Sequence, residues 1–301
     1  KSKKQRGKEA WLARIDDKYH SIQSDSSDAR TKSCQLQHEW QKKSFPTCNS
    51  FHEQDMALIS APSTKQHDRK NKKKRVSYVA GGAFRDVWRV FDDSFTESVA
   101  LKTLVYHKDF NIDNDERHRR DSVANERLTS SKFIAPIYGA CGNSALVEFA
   151  DGGCLEQILR EYSFNTTEKL ILGYHAVAAV ADVHNTDKSG KAAISHTDIK
   201  PKQYIYAPKE GVLKLTDFNR CWFISWNEKL NETCPFYIGS AGGRYRAPEE
   251  YKHDAQTEKI DVFQMGNVLY TILTGKWPFE DLESDQAGKK VKRGRLPHID
   301  D

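Results

Sequence analysis

The segment ISHTDIKPKQYIY, residues 194–206, constrains the fold of this 301-residue chain more than any other. It sets His196, Asp198, Lys200 and Gln203 between apolar residues, and Asp217 follows 19 residues after Asp198 in LTDFN. Between the two aspartates lie Tyr204–Tyr206, the turn Pro208–Gly211 and the apolar run Val212–Leu215. Such a pattern predicts a short hairpin, and a hairpin of that length brings both carboxylates to one cleft. A lone Asp at a strand end is usually a turn former, so Asp217 matters only in company.

Further charged residues keep that company. Lys102 closes VALK on a predicted strand, where apolar neighbours leave its ammonium to seek a polar partner such as phosphate. Glu126, in the helical stretch 115–131, is placed to pair with it, although a solvated helix face would hold a Glu equally well. Ala80, Gly81 and Gly82 precede Val87 at a strand turn where backbone can approach phosphate, a weak signal by itself. Phosphoryl transfer needs such a cradle, a cation on the phosphates, oxygen ligands for a metal and a carboxylate that orients the attacking hydroxyl. Asp198 suits the last task and Lys200 the transferring group. Gln203 and Asp217 offer oxygens to Mg²⁺.

Residues 77–300 resemble a eukaryotic protein kinase domain. VALK, Glu126, LVEFADGGCL, HTDIKPKQ, TDFN, RAPEE and DVFQMGNVLYTILTGKWPF follow that family's order and spacing. The resemblance implies an α+β bilobal fold, with a small β-rich N-lobe (76–150) containing one helix and a larger helical C-lobe (151–301) that lacks the last helices. It implies ATP and Mg²⁺ as cofactors and a protein substrate of unknown identity. Lys102 would hold the phosphates and pair with Glu126, Asp198 would be the catalytic base, Lys200 would touch the γ-phosphate, and Gln203 and Asp217 would be metal ligands. Val87, Ala100 and Ile205 would enclose adenine, with Val147 as gatekeeper and Glu148 and Ala150 at the hinge. Asp261 would brace the catalytic loop.

Three departures stand out. Thr197 replaces an Arg that reads activation-segment phosphorylation, Gln203 replaces Asn, and Asn219 replaces the glycine after Asp-Phe. The expected activity is Ser/Thr phosphotransfer. The alternatives are a scaffold that keeps the fold without catalysis and a kinase-like enzyme acting on a glycan or small molecule.

Composition sets the remaining bounds. The chain is 38% hydrophobic and 30% charged, with 14 Phe, 12 Tyr and 6 Trp, enough for a core. No run of 18 apolar residues exists. Residues 1–75 carry 18 Lys/Arg against 9 Asp/Glu, peaking in RKNKKKR (69–75), and read as a basic, partly disordered extension and linker. No aromatic residues interleave with that run, so it gives no strong nucleic-acid signal. Within the extension, residues 7–22 carry a helical pattern. Cys34, His38, Cys48 and His52 have one-face helical spacing that zinc would accept, but it matches no common module; free thiols or a Cys34–Cys48 bridge fit better. Compartment stays open between the cytoplasm, the default, and a secretory or membrane-tethered setting, because Asn165-Thr-Thr and Asn231-Glu-Thr are sequons.

Overall fold

The computed structural model describes residues 33–42, 76–82, 84–91, 98–108, 111–239 and 242–299. The helical pattern at 7–22, the linker at 60–75, the basic run and Cys48 and His52 lie outside the described residues.

Residues 76–148 build a five-stranded antiparallel sheet and one helix. Strands β2 (Val76–Gly81), β3 (Arg85–Val90), β4 (Val99–Leu104), β5 (Ile137–Cys141) and β6 (Ser144–Glu148) lie in the order β2-β3-β4-β6-β5. Helix α1 (Ile112–Leu128) starts at Asn111, whose side chain accepts from the Asn114 amide, with Asp113 and Asp115 in its first turn. Both features favour a helix start. In the β3–β4 register Val87 lies opposite Lys102, and in β2–β3 it lies opposite Ala80. Strand alternation then puts Arg85, Val87, Ala100 and Lys102 on one face of the sheet.

The remainder is mainly helical. It contains α2 (Leu155–Glu161), α3 (Thr166–His184), α4 (Pro248–Lys252), α5 (Lys259–Thr274) and α6 (Ser284–Lys292). Helix α3 opens with a reciprocal cap between Asn165 and Glu168 and buries Leu172, Ala176, Ala179, Val180 and Val183. At Gly173 a Cβ would stand 3.1 Å from Leu269 of α5, so the missing side chain lets these two helices approach closely. The main core joins α1, α3 and α5 to the hairpin β8 (Tyr204–Ala207) and β9 (Val212–Leu215), with Tyr204 and Phe218 fully buried. Each large apolar side chain buried there contributes roughly 1.5–3 kcal/mol.

The stretch from 219 to 246 holds three short strands: β10 (Trp222–Phe223), β11 (Ser225–Asn227) and β12 (Glu232–Thr233). Strands of two or three residues are too short to reveal alternation in sequence. β10 pairs with β7 (Ile194–Ser195).

β1 (Cys34–Leu36), from the segment expected to be an extension, adds to β11 as a third strand of the β11–β12 sheet. A one-turn 3-10 helix at Glu39–Lys42 follows. Gln41 is buried and donates to the carbonyls of Ala193 (3.0 Å) and Ile224 (3.1 Å), while Gln37 donates to Ala192 and Ile224. Trp40 meets Phe223 edge-on and donates to Asp187. Residues 33–42 are therefore a strap packed on the domain.

The strap corrects the cysteine reading. Cys34 forms a disulfide with Cys234, not with Cys48, and is therefore not available as a zinc thiolate. His38 lies 3.2 Å from Asp187. Among the described residues no group of three or more His, Cys, Asp or Glu is positioned to hold a metal, and no helix is long and apolar enough to cross a membrane.

Candidate active site

Asp198 sits in the loop after β7, buried and surrounded by donors. Its Oδ2 accepts from Lys200 Nζ (2.8 Å) and Gln203 Nε2 (2.6 Å), and its Oδ1 from Arg246 Nη2 (2.5 Å). Burial by itself would raise its pKa. Arg246 and then Lys200 outweigh that and hold it down at about 2, so the group is a carboxylate at neutral pH.

The loop is held from below by Asp261 of α5. This fully buried carboxylate accepts from Ser195 Oγ and from the amides of His196 and Thr197 at 2.7–2.9 Å, and it meets His184 Nε2 at 2.9 Å. Burial opposes its charge, but the His184 contact, His196 and the Thr197 amide keep its pKa below the usual carboxylate value. The bracing role expected of Asp261 has this geometry. Thr197 adopts a positive φ of 62°, which costs energy for a β-branched residue. Gln264, Arg246 and Asp261 hold its backbone in that state.

The strand hairpin brings Asp217 beside this loop, as its length predicts. The Thr216 amide donates to Gln203 O at 2.8 Å, and His196 Nε2 reaches Thr216 O at 3.1 Å. The Asp198 amide donates to His196 Nδ1 (3.3 Å), which assigns the ring proton to Nε2. Burial pushes the His196 pKa down, so the ring is neutral. Phe218 packs against that ring, with centroids 4.8 Å apart. Asp217 lies at φ 68°, and its Oδ1 accepts from Asn219 Nδ2 at 2.7 Å.

From the sheet side, Lys102 Nζ reaches Thr216 Oγ1 at 3.3 Å. One expected partner is not there, because Glu126 lies exposed on the outer side of α1. The acid facing the sheet is Asp121, fully buried, ion-paired with Arg85 and within electrostatic reach of Lys102. Burial opposes its charge, whereas Arg85, Lys102 and His118 lower its pKa. The two acids stand five positions apart, which turns them to different sides of a helix. Asp121 was missed because DERHRRDSVANER holds four acids and apolar periodicity there is weak.

Ala80, Gly81 and Gly82 form the exposed end of β2 and the turn into β3, where the Gly82 amide donates to Arg85 O. Ala100 is buried beside Val147 in one apolar cluster, with Val87 packed against it. Ile205 on β8 is half-buried. There the Gly152 amide meets Tyr206 O, and a Cβ on Gly152 would stand 2.6 Å from that oxygen. Glu148 gives both side-chain oxygens to buried Lys214 (2.9 Å each), which also meets Glu210 at 2.7 Å. Burial alone would lower the Lys214 pKa, but these carboxylates raise it, so it stays charged and fastens the end of β6 to β9. Ala150 is half-buried just beyond.

Arg246 was also missed. It donates to Thr197 O (2.7 Å) as well as to Asp198, and it reaches Glu250 at 3.4 Å. An arginine is thus absent at position 197 yet present at the catalytic loop, supplied from the residue before Ala247-Pro248-Glu249.

The family model for the protein kinase domain matches residues 74–299. The chain is similar to serine/threonine-protein kinase Nek5 of Homo sapiens, 26% identical over 232 residues, covering 74% of this chain and 31% of that protein. It is similar to serine/threonine-protein kinase VIK of Arabidopsis thaliana, 31% identical over 189 residues, covering 61% of this chain and 41% of the relative. Serine/threonine-protein kinase PrkC of Bacillus subtilis is 28% identical over 228 residues, covering 73% and 33%. The chain spans less than half the length of these relatives. With a two-lobed fold, a braced Asp198 loop and a family match over most of its length, the chain belongs to the protein kinase domain family.

Proposed function

We propose that this domain transfers the γ-phosphate of Mg-ATP to a protein hydroxyl, that of Ser or Thr, as the names of its relatives suggest. The observation that carries the reading is the ionised Asp198, ringed by Lys200, Gln203 and Arg246 and linked through His196 and then Thr216 to Lys102.

The residues present fit nucleotide and metal. Lys102 is a buried ammonium whose side-chain hydrogen bond among the described residues goes to a neutral hydroxyl, which suits phosphate. Gln203 spends its Nε2 on Asp198, leaving its Oε1 as an oxygen donor, and the Asp217 carboxylate supplies a second. Both are the hard oxygen ligands that Mg²⁺ prefers. The metal, when bound, neutralises charge on the phosphates.

The chain's own residues supply the rest. Each Asp198 oxygen carries two lone pairs, so capacity remains to accept from a substrate hydroxyl and orient it. Lys200 follows the charge on the transferring group. Val87, Ala100 and Ile205 offer apolar faces to the base.

Arg246 favours a second reading. Its grip on Asp198 Oδ1 suits a nucleotide-binding scaffold whose base is sequestered. Purified protein with Mg-ATP and a Ser/Thr peptide library separates the two. Phosphotransfer lost in Asp198→Asn, by at least the 10²-fold typical of a removed general base, is the expected result. ATP-dependent thermal stabilisation without any transfer in the wild type would leave the scaffold.

A further inference from the structure

Cys34 and Cys234 are joined across 200 residues of sequence, and Cys141 is disulfide-bonded as well. Structural disulfides persist in oxidising compartments, because cytosolic glutathione and thioredoxin keep thiols reduced. The Cys34–Cys234 bridge is built into the fold. Cys234 is buried, and the bond fastens β1 to the sheet it forms with β11 and β12.

The same small sheet carries a sequon at its tip. β11 ends at Asn227, whose Oδ1 accepts from the amides of Lys229 and Leu230 and folds the chain back. Asn231 comes next with φ 52°, and β12 begins at Glu232. Asparagine tolerates that left-handed conformation better than most residues. Residues 228–232 are all exposed, so a branched sugar on Asn231 points into solvent and displaces no packed side chain. The other sequon differs: Asn165 is committed to the cap of α3 through the Glu168 amide.

We propose that Asn231 is an N-glycosylation site and that this domain matures in the oxidising lumen of the secretory pathway. The inference does not depend on the catalytic reading. In the transfer step Asn231 Nδ2 forms a bond to the anomeric carbon of a lipid-pyrophosphate-linked oligosaccharide. The lipid pyrophosphate leaves and the amide gives up one proton. In the oxidation step Cys34 and Cys234 pass two electrons and two protons to a luminal disulfide oxidant as the S–S bond forms.

The test starts from full-length protein isolated from the cells that make it, with thiols trapped by alkylation at lysis. Non-reducing peptide mapping is expected to recover Cys34 and Cys234 in one linked pair. The peptide containing Asn231 is expected to carry a glycan, and amidase release converts that residue to Asp. Bare Asn231 with alkylated Cys34 and Cys234 would overturn both halves, and a glycan on Asn165 alone would overturn the site. A second arm expresses the chain through a eukaryotic secretory route. Thr233→Ala and Asn231→Gln are each expected to remove the same amidase-sensitive mass. Retention of that mass in either variant would overturn the assignment.

Discussion

Asp121 and Glu126 share a helix, and only one faces Lys102. Asp121 is buried against Arg85, so removing its charge leaves a guanidinium uncompensated in the lobe interior. Breaking a buried pair on one side costs about 3–5 kcal/mol. Asp121→Asn is therefore expected to lower urea stability by that amount and to impair phosphotransfer. Glu126→Gln is expected to stay within about 0.5 kcal/mol of wild type, as an exposed substitution should. Equal effects of the two in urea titrations would refute the assignment of the inward acid. The charged residues Lys102, Asp198 and Asp217 could be read from the sequence because each sits in a short contiguous motif. Asp121 and Arg246 could not, because their partners lie 36 and 48 residues away.

The strap of residues 33–42 earns its place through backbone pairing and amide donors. β1 adds a strand to β11, and Gln37 and Gln41 satisfy carbonyls beside β7 and β10, next to the catalytic loop. Its composition is polar, so nothing in the sequence marks it as packed. The disulfide constrains the unfolded chain more than the folded one. Replacing both Cys34 and Cys234 by Ser is expected to cost about 2–5 kcal/mol, a Tm decrease of roughly 5–15 °C for a domain this large. Thermal scans with and without reductant check it: the double variant keeps the Cys141 bridge, so reductant should lower the wild-type Tm by more than it lowers that of the variant, and the two should then coincide. A wild-type Tm indifferent to reductant would contradict a stabilising bridge.

Acidity tests how the whole molecule stores its charges. His118 is buried with its pKa lowered to about 4, chiefly by burial and then by Arg85, and His196 is lowered too. Both are neutral in the fold, while the unfolded chain binds protons from about pH 6.5 downward. Stability therefore falls as pH drops from 6.5 towards 4, by roughly 3 kcal/mol for His118 alone. Asp198 acts lower: its contribution of about 2 kcal/mol is whole above the unfolded value of 3.8 and is lost as pH falls towards 2. Glu250 works the other way, because burial raises its pKa and its share fades as pH rises through that value. Urea midpoints should fall from pH 6.5 to 4 and go on falling below 4 as Asp198 protonates. A midpoint flat from pH 7 to 4 would show that the histidines are not buried neutral.

The sequence by itself determined the two-lobed α+β class and the loop-plus-hairpin unit that brings Asp198 and Asp217 together. Those features rest on periodicity, turns and short contiguous motifs, which act over a few residues. Only the tertiary structure decided which acid faces Lys102, that Arg246 grips Asp198 and the Thr197 carbonyl, and that Cys34 pairs with Cys234. These depend on which side chains lose water together, and burial is set by packing between segments far apart in the chain.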